Sequence, residues 1–349
     1  MQSIKIGNRY IGSKNPCYLV AEIGINHNGD MELAKHTILA AKEAGADSVK
    51  FQNYKAEDFV INKEIEYEYI SQGKVIRESQ YEMFKRYELD ATQLIELKEF
   101  CDKVHIDFHS TPTNREGIEL LKSIGTKVLK NGSDYLTNLE LIRDMGFSGL
   151  PTVLSTGMAY ASEIDEAVRA FKNTGNTQLI LLHCTSQYPT PAQDVNLYKI
   201  QSLKSAFDCV VGFSDHTEGS CAAIASIPMG TSWIEKHFTL DKSLPGPDHR
   251  FSSSPAEFKQ LVDGIRYVEQ ALGTTQLGPT YSEHQSRDNF RLSCVAIRNL
   301  SKGDSIKKED IQFQRPGNGI PPKNIDIILN KILKKEILKG QLISYEDFA

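Results

Sequence analysis

The sequence contains no apolar run that approaches membrane-spanning length, and its opening residues, MQSIKIGNRYIG, lack the apolar core of a secretion signal. A cytoplasmic protein without membrane contact is therefore expected. An excess of one charge sign is also missing. The net charge of −5 argues against a nucleic-acid partner while leaving a local basic pocket open. Cysteine is sparse and scattered. The six cysteines (Cys17, Cys101, Cys184, Cys209, Cys221 and Cys294) show neither a CxxC pair nor zinc-like spacing. That argues against a disulfide scaffold or a zinc ribbon and leaves reduced structural thiols. What remains is an ordinary globular composition, 40% hydrophobic and 24% charged.

Against that background one pattern stands out. Eight apolar stretches run directly into polar or ionisable side chains: YLVAEIG (18–24), SVKFQ (48–52), DFHST (107–111), KVLKN (127–131), TVLST (152–156), LILLHC (179–184), VVGFSD (210–215) and WIEKHF (233–238). Segments of helical length and period, such as MELAKHTILAAKEAG, separate most of them. Buried strands alternating with amphipathic helices predict a parallel sheet, and eight units predict a closed (β/α)₈ TIM barrel. Such a barrel carries its site at the C-terminal mouths of the strands. The mouths collect Glu22, Lys50, Gln52, Ser110, Thr111, Lys130, Ser133, Ser155, Thr156, His183, Thr185, Asp215, His216, Glu235 and His237.

The chain, at 349 residues, exceeds the roughly 250 typical of this barrel, so a second module is expected. We assign residues 1–278 to the barrel, 279–289 to a linker and 290–349 to the module. Within the module, SKGDSIKKEDI (301–311) and LKGQLISYEDF (338–348) form a half-repeat, separated by the Pro/Gly-rich loop FQRPGNGIPP. The barrel's longest interruption, Lys55–Asp90, follows the second strand and is expected to cover the mouth.

Several mouth residues have chemistry in common. His216 and His237 end neighbouring strands, where both imidazoles could reach one divalent ion, or each could be a hydrogen-bonded strand-end histidine. Lys50 and Lys130, ringed by Thr111, Ser133 and Ser155, suit a phosphate or carboxylate clamp. Glu22 fits an acid, a base, a sugar ligand or an ion-pair partner. His183–Cys184 is a weak candidate for a thiol nucleophile, because adjacent strand residues face opposite ways. Asp248 and His249 lie on the stiff loop SLPGPDHRFSSSP after the eighth strand.

The ordered blocks AEIGINHNGD, VKFQ, STP, KNGSD, LSTGM, LLHCTSQYPTP, GFSDHTEG, IEKHFTLDKSLPGPDH and RPGNG resemble the sialic acid synthases over nearly the whole chain. The tail resembles that family's antifreeze-like (SAF, β-clip) domain. The resemblance implies condensation of phosphoenolpyruvate with an N-acetylated mannose-type sugar and release of phosphate. It further implies a domain-swapped homodimer in which each tail caps the partner's barrel. By position it implies His216 and His237 as ligands of Mn²⁺ (Mg²⁺ or Co²⁺ being possible), and Lys50, Thr111, Lys130, Ser133, Ser155 and Ser186 as the phosphoenolpyruvate site. Gln52, Tyr188 and Asp248 would face the sugar, with Arg315 arriving from the other subunit, while Glu22 or Glu235 would move protons.

Two departures bear on the sugar. Ser186 stands where sialate enzymes carry Asn, and KNGSDYLTN displaces the family's acid by one residue and brings in Tyr135. The PGPDH loop, which pseudaminate-type relatives lack, favours a neuraminate- or legionaminate-configured product. A pseudaminate-type synthase, a pyruvate lyase forming a Schiff base and a non-catalytic carbohydrate-binding module remain the alternatives.

Overall fold

A computed structural model describes residues 3–12 and 14–348. They form two compact units, Met1–Gly273 and Thr274–Ala349.

The first unit opens with a hairpin, β1 (Ser3–Ile6) and β2 (Arg9–Gly12), followed by the first barrel strands, β3 (Tyr18–Gly24) and β4 (Ser48–Asn53). A second hairpin, β5 (Glu66–Ser71) and β6 (Lys74–Ser79), interrupts the alternation. The barrel resumes with β7 (Asp107–Pro112), β8 (Leu129–Asn131), β9 (Thr152–Ser155), β10 (Leu179–Cys184), β11 (Val210–Asp215) and β12 (Trp233–His237). The parallel ladder runs β7-β4-β3-β12-β11-β10-β9-β8, and β8 packs beside β7, so the sheet curls to a near-closed barrel. Each expected strand is present, with ends within two residues of the sequence reading.

Helices start where the sequence offers caps. Asp30 accepts from the Glu32 and Leu33 amides at the head of Met31–Glu43, and a Ser254/Glu257 capping box opens Pro255–Ala271. Their apolar faces pack on the outward strand residues in one large core that includes Leu19, Val49, Phe108 and Ile234. A smaller core fills the barrel. Val20, Val128, Val153, Ile180, Leu182, Val210 and Trp233 meet Ile4, Ile6 and Ile11 of the first hairpin, which plugs the N-terminal end. The lower barrel is filled mainly by apolar side chains, with Ser48 and His109 buried among them, and most of the polar side chains collect at the mouth.

The second unit has its own core around Cys294, Leu300, Ile306, Ile337 and Ile343. Its strands β13 (Ser293–Ala296) and β14 (Ile311–Gln314) pair antiparallel. The sequence half-repeat is a structural one. Leu300 and Ile337 exchange amide bonds of 2.8 and 2.9 Å, and Gly303 N donates to Leu333 O (2.7 Å) as Gly340 N does to Ala296 O (2.8 Å). Both glycines have positive φ, 95° and 85°, a region that favours glycine. The buried acids Asp310 and Asp347 pair with Arg298 (2.7 Å) and Lys335 (2.6 Å) respectively. Each half thus donates from its turn to the other half. The stretch read as a linker carries a 3₁₀ turn, Tyr281–Glu283, opened by a Thr280/Glu283 capping box, and then a helix, His284–Phe290.

Candidate active site

A cavity of about 350 Å³ opens at the C-terminal mouth of the barrel. Thirteen of the proposed residues line it: Glu22, Lys50, Gln52, Thr111, Lys130, Ser133, Ser155, Ser186, Tyr188, His216, Glu235, His237 and Asp248. Arg315 belongs to the second unit, where its guanidinium lies 5.0 Å from the Phe290 ring.

The floor is a buried charge cluster. Glu235 Oε1 sits 3.5 Å from Lys50 Nζ and 3.4 Å from Lys130 Nζ, and accepts from the Ser214 hydroxyl at 3.3 Å. Lys50 also meets Glu22 Oε1 at 3.0 Å and donates to Thr111 (3.3 Å), while Lys130 donates to Ser155 (2.8 Å). Gln52 donates to Glu22 Oε1 at 3.2 Å. Glu22 Oε2 and Glu235 Oε2 are buried without a partner.

Burial penalises all four charges, and their neighbours decide the outcome. For Glu235 the two lysines outweigh burial and hold the carboxyl down at about 2. Glu22 has one lysine and a neighbouring carboxylate, so burial keeps its pKa above the usual range. Burial opposes the charge of Lys50, but Glu22 and Glu235 raise its pKa, whereas burial lowers that of Lys130.

On the adjoining wall, the His216 and His237 rings lie 5.6 Å apart. Tyr188 lies against His216 with centroids 4.1 Å apart and the rings tilted by 31°, and meets His237 edge-on at 5.7 Å. His216 Nδ1 bonds the Thr185 carbonyl at 2.8 Å, which fixes the ring and leaves Nε2 near only the Ser214 hydroxyl, at 3.3 Å. His237 Nδ1 is buried without a hydrogen bond, 3.7 Å from Asp248 Oδ2. Burial and the His216 ring keep the His237 imidazole neutral. Two imidazoles with nitrogens free of strong partners are donors that fit a divalent cation. Among the described residues no group of three His, Cys, Asp or Glu side chains is placed to hold a metal, so substrate or water would have to complete the shell.

A different wall comes from the insertion. Lys55–Asp90 folds as the β5–β6 hairpin between helices Ala56–Phe59 and Gln80–Tyr87. Ile25, Tyr54, Met83 and Tyr87 form a small core there, with Tyr69 and Phe84 packed against it. Tyr54, Phe59, Tyr67, Met83 and Phe84 face the cavity. The Tyr54 hydroxyl is engaged, donating to the Phe84 carbonyl at 3.1 Å. The hairpin tip is tied to the loop after β12: Gly246 N donates to Ser71 Oγ and Gln72 Nε2 to the Ser243 carbonyl, each at 3.0 Å.

That loop is set from below. Asn26 donates to the Phe238 carbonyl and to Ser252, both at 2.9 Å, and Asn28 donates to the Pro245 carbonyl at 2.9 Å. His249 does not line the cavity. It is buried between Thr239 (2.7 Å) and Asn28 (3.2 Å) and pins the loop that aims Asp248 inward. Burial pushes the Asp248 carboxyl up to about 7.

Not every mouth residue faces in. Ser110, Thr156, His183, Thr185 and Asp215 do not line the cavity, and His183 bonds the Val195 carbonyl instead. Strand alternation is the reason: Ser214 and His216 point inward with Asp215 between them, and Glu235 and His237 with Lys236 between them. The same parity brings in Cys184, whose thiol lies 3.9 Å from His216 Nδ1. The sequence reading did not place Ser214 or the aromatic wall at the site, and it considered Cys184 only as a weak nucleophile candidate beside His183. Counting back by two from His216 finds Ser214, and from Ser186 finds Cys184.

Comparison with known proteins agrees with this architecture. The NeuB family model matches residues 37–277 and the SAF domain model residues 293–349. The N,N'-diacetyllegionaminic acid synthase of Legionella pneumophila is 42% identical over 340 residues, 96% of this chain and 95% of that one. The human N-acetylneuraminate-9-phosphate synthase is 33% identical, covering 93% of this chain and 90% of its own. The crystal structure of an N-acetylneuraminic acid (sialic acid) synthetase from Leptospira borgpetersenii superposes with a TM-score of 0.74 at 37% identity. That match covers 82% of this chain and 95% of the other.

Proposed function

The chain belongs to the NeuB family, and on that premise we propose that it condenses phosphoenolpyruvate with an N-acetylated mannose-type amino sugar. The product is a nine-carbon 2-keto acid of the sialic acid class, released with inorganic phosphate. The observation that carries this reading is the charge cluster on the floor. Lys50 and Lys130 are fully buried, yet only internal carboxylates neutralise them. Two desolvated ammonium groups among Thr111, Ser133 and Ser155 suit a small, multiply charged anion better than a neutral sugar.

The residues divide the work as follows. The lysines bind phosphate and carboxylate and hold carbon 3 of phosphoenolpyruvate against the sugar aldehyde. Carbon 3 attacks the aldehyde carbon, leaving cationic character at carbon 2. Glu235, kept anionic by both lysines, offsets that charge. Glu22, with its free Oε2, gives a proton to the new alkoxide. Water adds at carbon 2, one of its protons restoring Glu22, and the adduct collapses to the ketone by cleavage of the bond between carbon 2 and the phosphate oxygen, the second proton leaving with phosphate. His216 and His237 would hold the divalent cation, Mn²⁺ before Mg²⁺ or Co²⁺. When bound, the cation polarises the aldehyde oxygen. Gln52, Tyr188 and Asp248 orient the acyl sugar.

We assign the product to the neuraminate or legionaminate type. The wall of Ile25, Tyr54, Phe59, Met83 and Phe84 supports the legionaminate member. It suits methyl groups, whereas a hydroxymethyl pressed there would lose its water with little besides the Tyr67 hydroxyl to replace it, at up to about 1–3 kcal/mol. The enzyme works in the cytoplasm, where phosphoenolpyruvate is made, as a homodimer in which the partner's tail supplies Arg315. The decisive experiment measures phosphate release from phosphoenolpyruvate and Mn²⁺ with N-acetylmannosamine and with 2,4-diacetamido-2,4,6-trideoxyhexoses of both configurations. Turnover with the manno-configured diacetamido sugar is expected to be fastest. No phosphate release with any sugar, or trapping of pyruvate by borohydride, would overturn the reading. For the dimer, mixing Arg315→Ala with His237→Ala chains should recover part of the activity through sites that keep both groups. Inactive mixtures whose subunits exchange normally would place Arg315 outside the partner's site.

A further inference from the structure

Behind the two histidines, on the outer face of the sheet, lies a second pair of opposite charges. The β11–β12 ladder pairs Ser214 with Glu235 and Asp215 with Lys236, and ends there. His216 and His237 are the next residues. Lys236 Nζ donates to Asp215 Oδ2 at 2.9 Å and to the Thr217 carbonyl at 2.7 Å, and the Thr217 amide donates to Asp215 Oδ1 at 2.9 Å. Both side chains are buried, with 3% and 0% of their surface exposed. Neither touches the cavity.

Stability is a poor explanation for this pair. Desolvating two ions offsets most of their attraction, and an apolar pair of equal volume usually stabilises as well or better. The layer around it is otherwise apolar, with Phe213, Ile234, Phe238 and Phe258. What an apolar pair could not do is fix direction. The Lys236 ammonium ties β12, one residue before His237, to the side chain and backbone on both sides of His216. The His237 ring has no hydrogen bond from Nδ1, so its place is set by packing against Tyr188 and Phe251 and by the backbone that carries it.

We propose that Lys236 and Asp215 are positioning residues, a clamp that sets the spacing and direction of the His216–His237 pair for a shared divalent cation. The proposal rests on the reading that these histidines hold that cation together. The clamp acts through the two rings and touches neither substrate.

The test titrates Co²⁺ into the wild-type protein, an Asp215→Asn variant and an Asp215→Leu/Lys236→Met double variant, following cobalt absorption, with thermal unfolding measured in parallel without metal. The double variant should melt within a few degrees of wild type yet bind Co²⁺ at least tenfold more weakly. Asp215→Asn keeps the volume and an acceptor for Lys236, should fold, and should weaken Co²⁺ severalfold, which keeps the test decisive if the double variant does not fold. Wild-type Co²⁺ affinity in the folded variants would overturn the clamp and leave the metal reading standing. A wild-type protein that binds no Co²⁺ would overturn both.

Discussion

Glu235 and Lys236 are consecutive residues of β12, yet they belong to two charge clusters with opposite properties. On the outer face both oxygens of Asp215 are taken, one by Lys236 and one by the Thr217 amide, and Lys236 also donates to the Thr217 carbonyl. On the inner face Glu235 Oε1 is shared by two lysines and a serine, while its Oε2 and that of Glu22 have no partner. Burial is nearly the same for both, so the cost of burying charge does not distinguish them. Unused hydrogen-bonding capacity does. A carboxylate with both oxygens taken and no face on the cavity has nothing to offer a ligand, whereas one with a free oxygen at the cavity is completed by it.

The strongest way to break this contrast is to remove an inner charge. Lys130→Met keeps the buried stem and removes the ammonium, so the fold should survive. We expect kcat/KM for phosphoenolpyruvate to fall by about three orders of magnitude, with a much smaller effect on sugar affinity. Steady-state phosphate release against each substrate checks it. A variant whose KM for phosphoenolpyruvate is unchanged would remove the anion from the lysine pair.

A smaller change sharpens the geometry without touching charge. A Cβ at Gly157 would fall on the Ser133 and Ser186 hydroxyls, and the Gly157 amide donates to Ser133 at 3.0 Å. Gly157→Ala should therefore weaken phosphoenolpyruvate by one to two orders of magnitude while leaving the melting temperature almost unmoved, since its φ is not in the positive region. Unaltered kinetics would place the anion away from the Ser133 side of the cavity.

These residues also show what could be read before the structure. The strands were legible because each buried run ends at the residues that turn into solvent or site. Which of those residues face in was legible in principle, because parity fixes it. Listing every polar residue at a mouth admitted His183 and Asp215, and alternation removes them. The aromatic wall was not legible, since Ile25, Tyr54 and Met83 are far apart in sequence and meet only through tertiary packing. The hairpin that carries part of it left a faint signal. Gln72 and Gly73 both have positive φ, and a Gln-Gly turn between EYEYIS and KVIRES is a weaker form of the Asn-Gly hairpin turn. The tail's pseudo-symmetry was legible because both halves repeat their turn glycine and buried acid at one offset.

His109 lies inside the barrel below the inner cluster, and its effect is on stability with no change expected in the substrate kinetics. Its Nδ1 meets Ser48 Oγ at 2.8 Å, its Nε2 is buried without a partner, and its ring packs edge-on against Trp233 at 5.5 Å. Burial, reinforced by Lys50, pushes its pKa down to about 3. In the unfolded chain a histidine titrates near 6.5, so below that pH the unfolded state binds the extra proton and the folded state refuses it. The neutral ring's contribution is therefore complete above about pH 6.5 and is lost as pH falls toward 3, by up to about 1.4 kcal/mol per pH unit. His109→Gln keeps polar atoms at the site but cannot take up a proton. Urea unfolding of wild type and variant between pH 7 and 4 isolates the effect, because the carboxylates shared by both proteins cancel in the difference. The stability of wild type relative to His109→Gln should decline steadily with acid. A pH-independent difference would mean that His109 reaches a proton acceptor in the folded state, and the floor beneath Lys50 would then be more polar than its apolar packing implies.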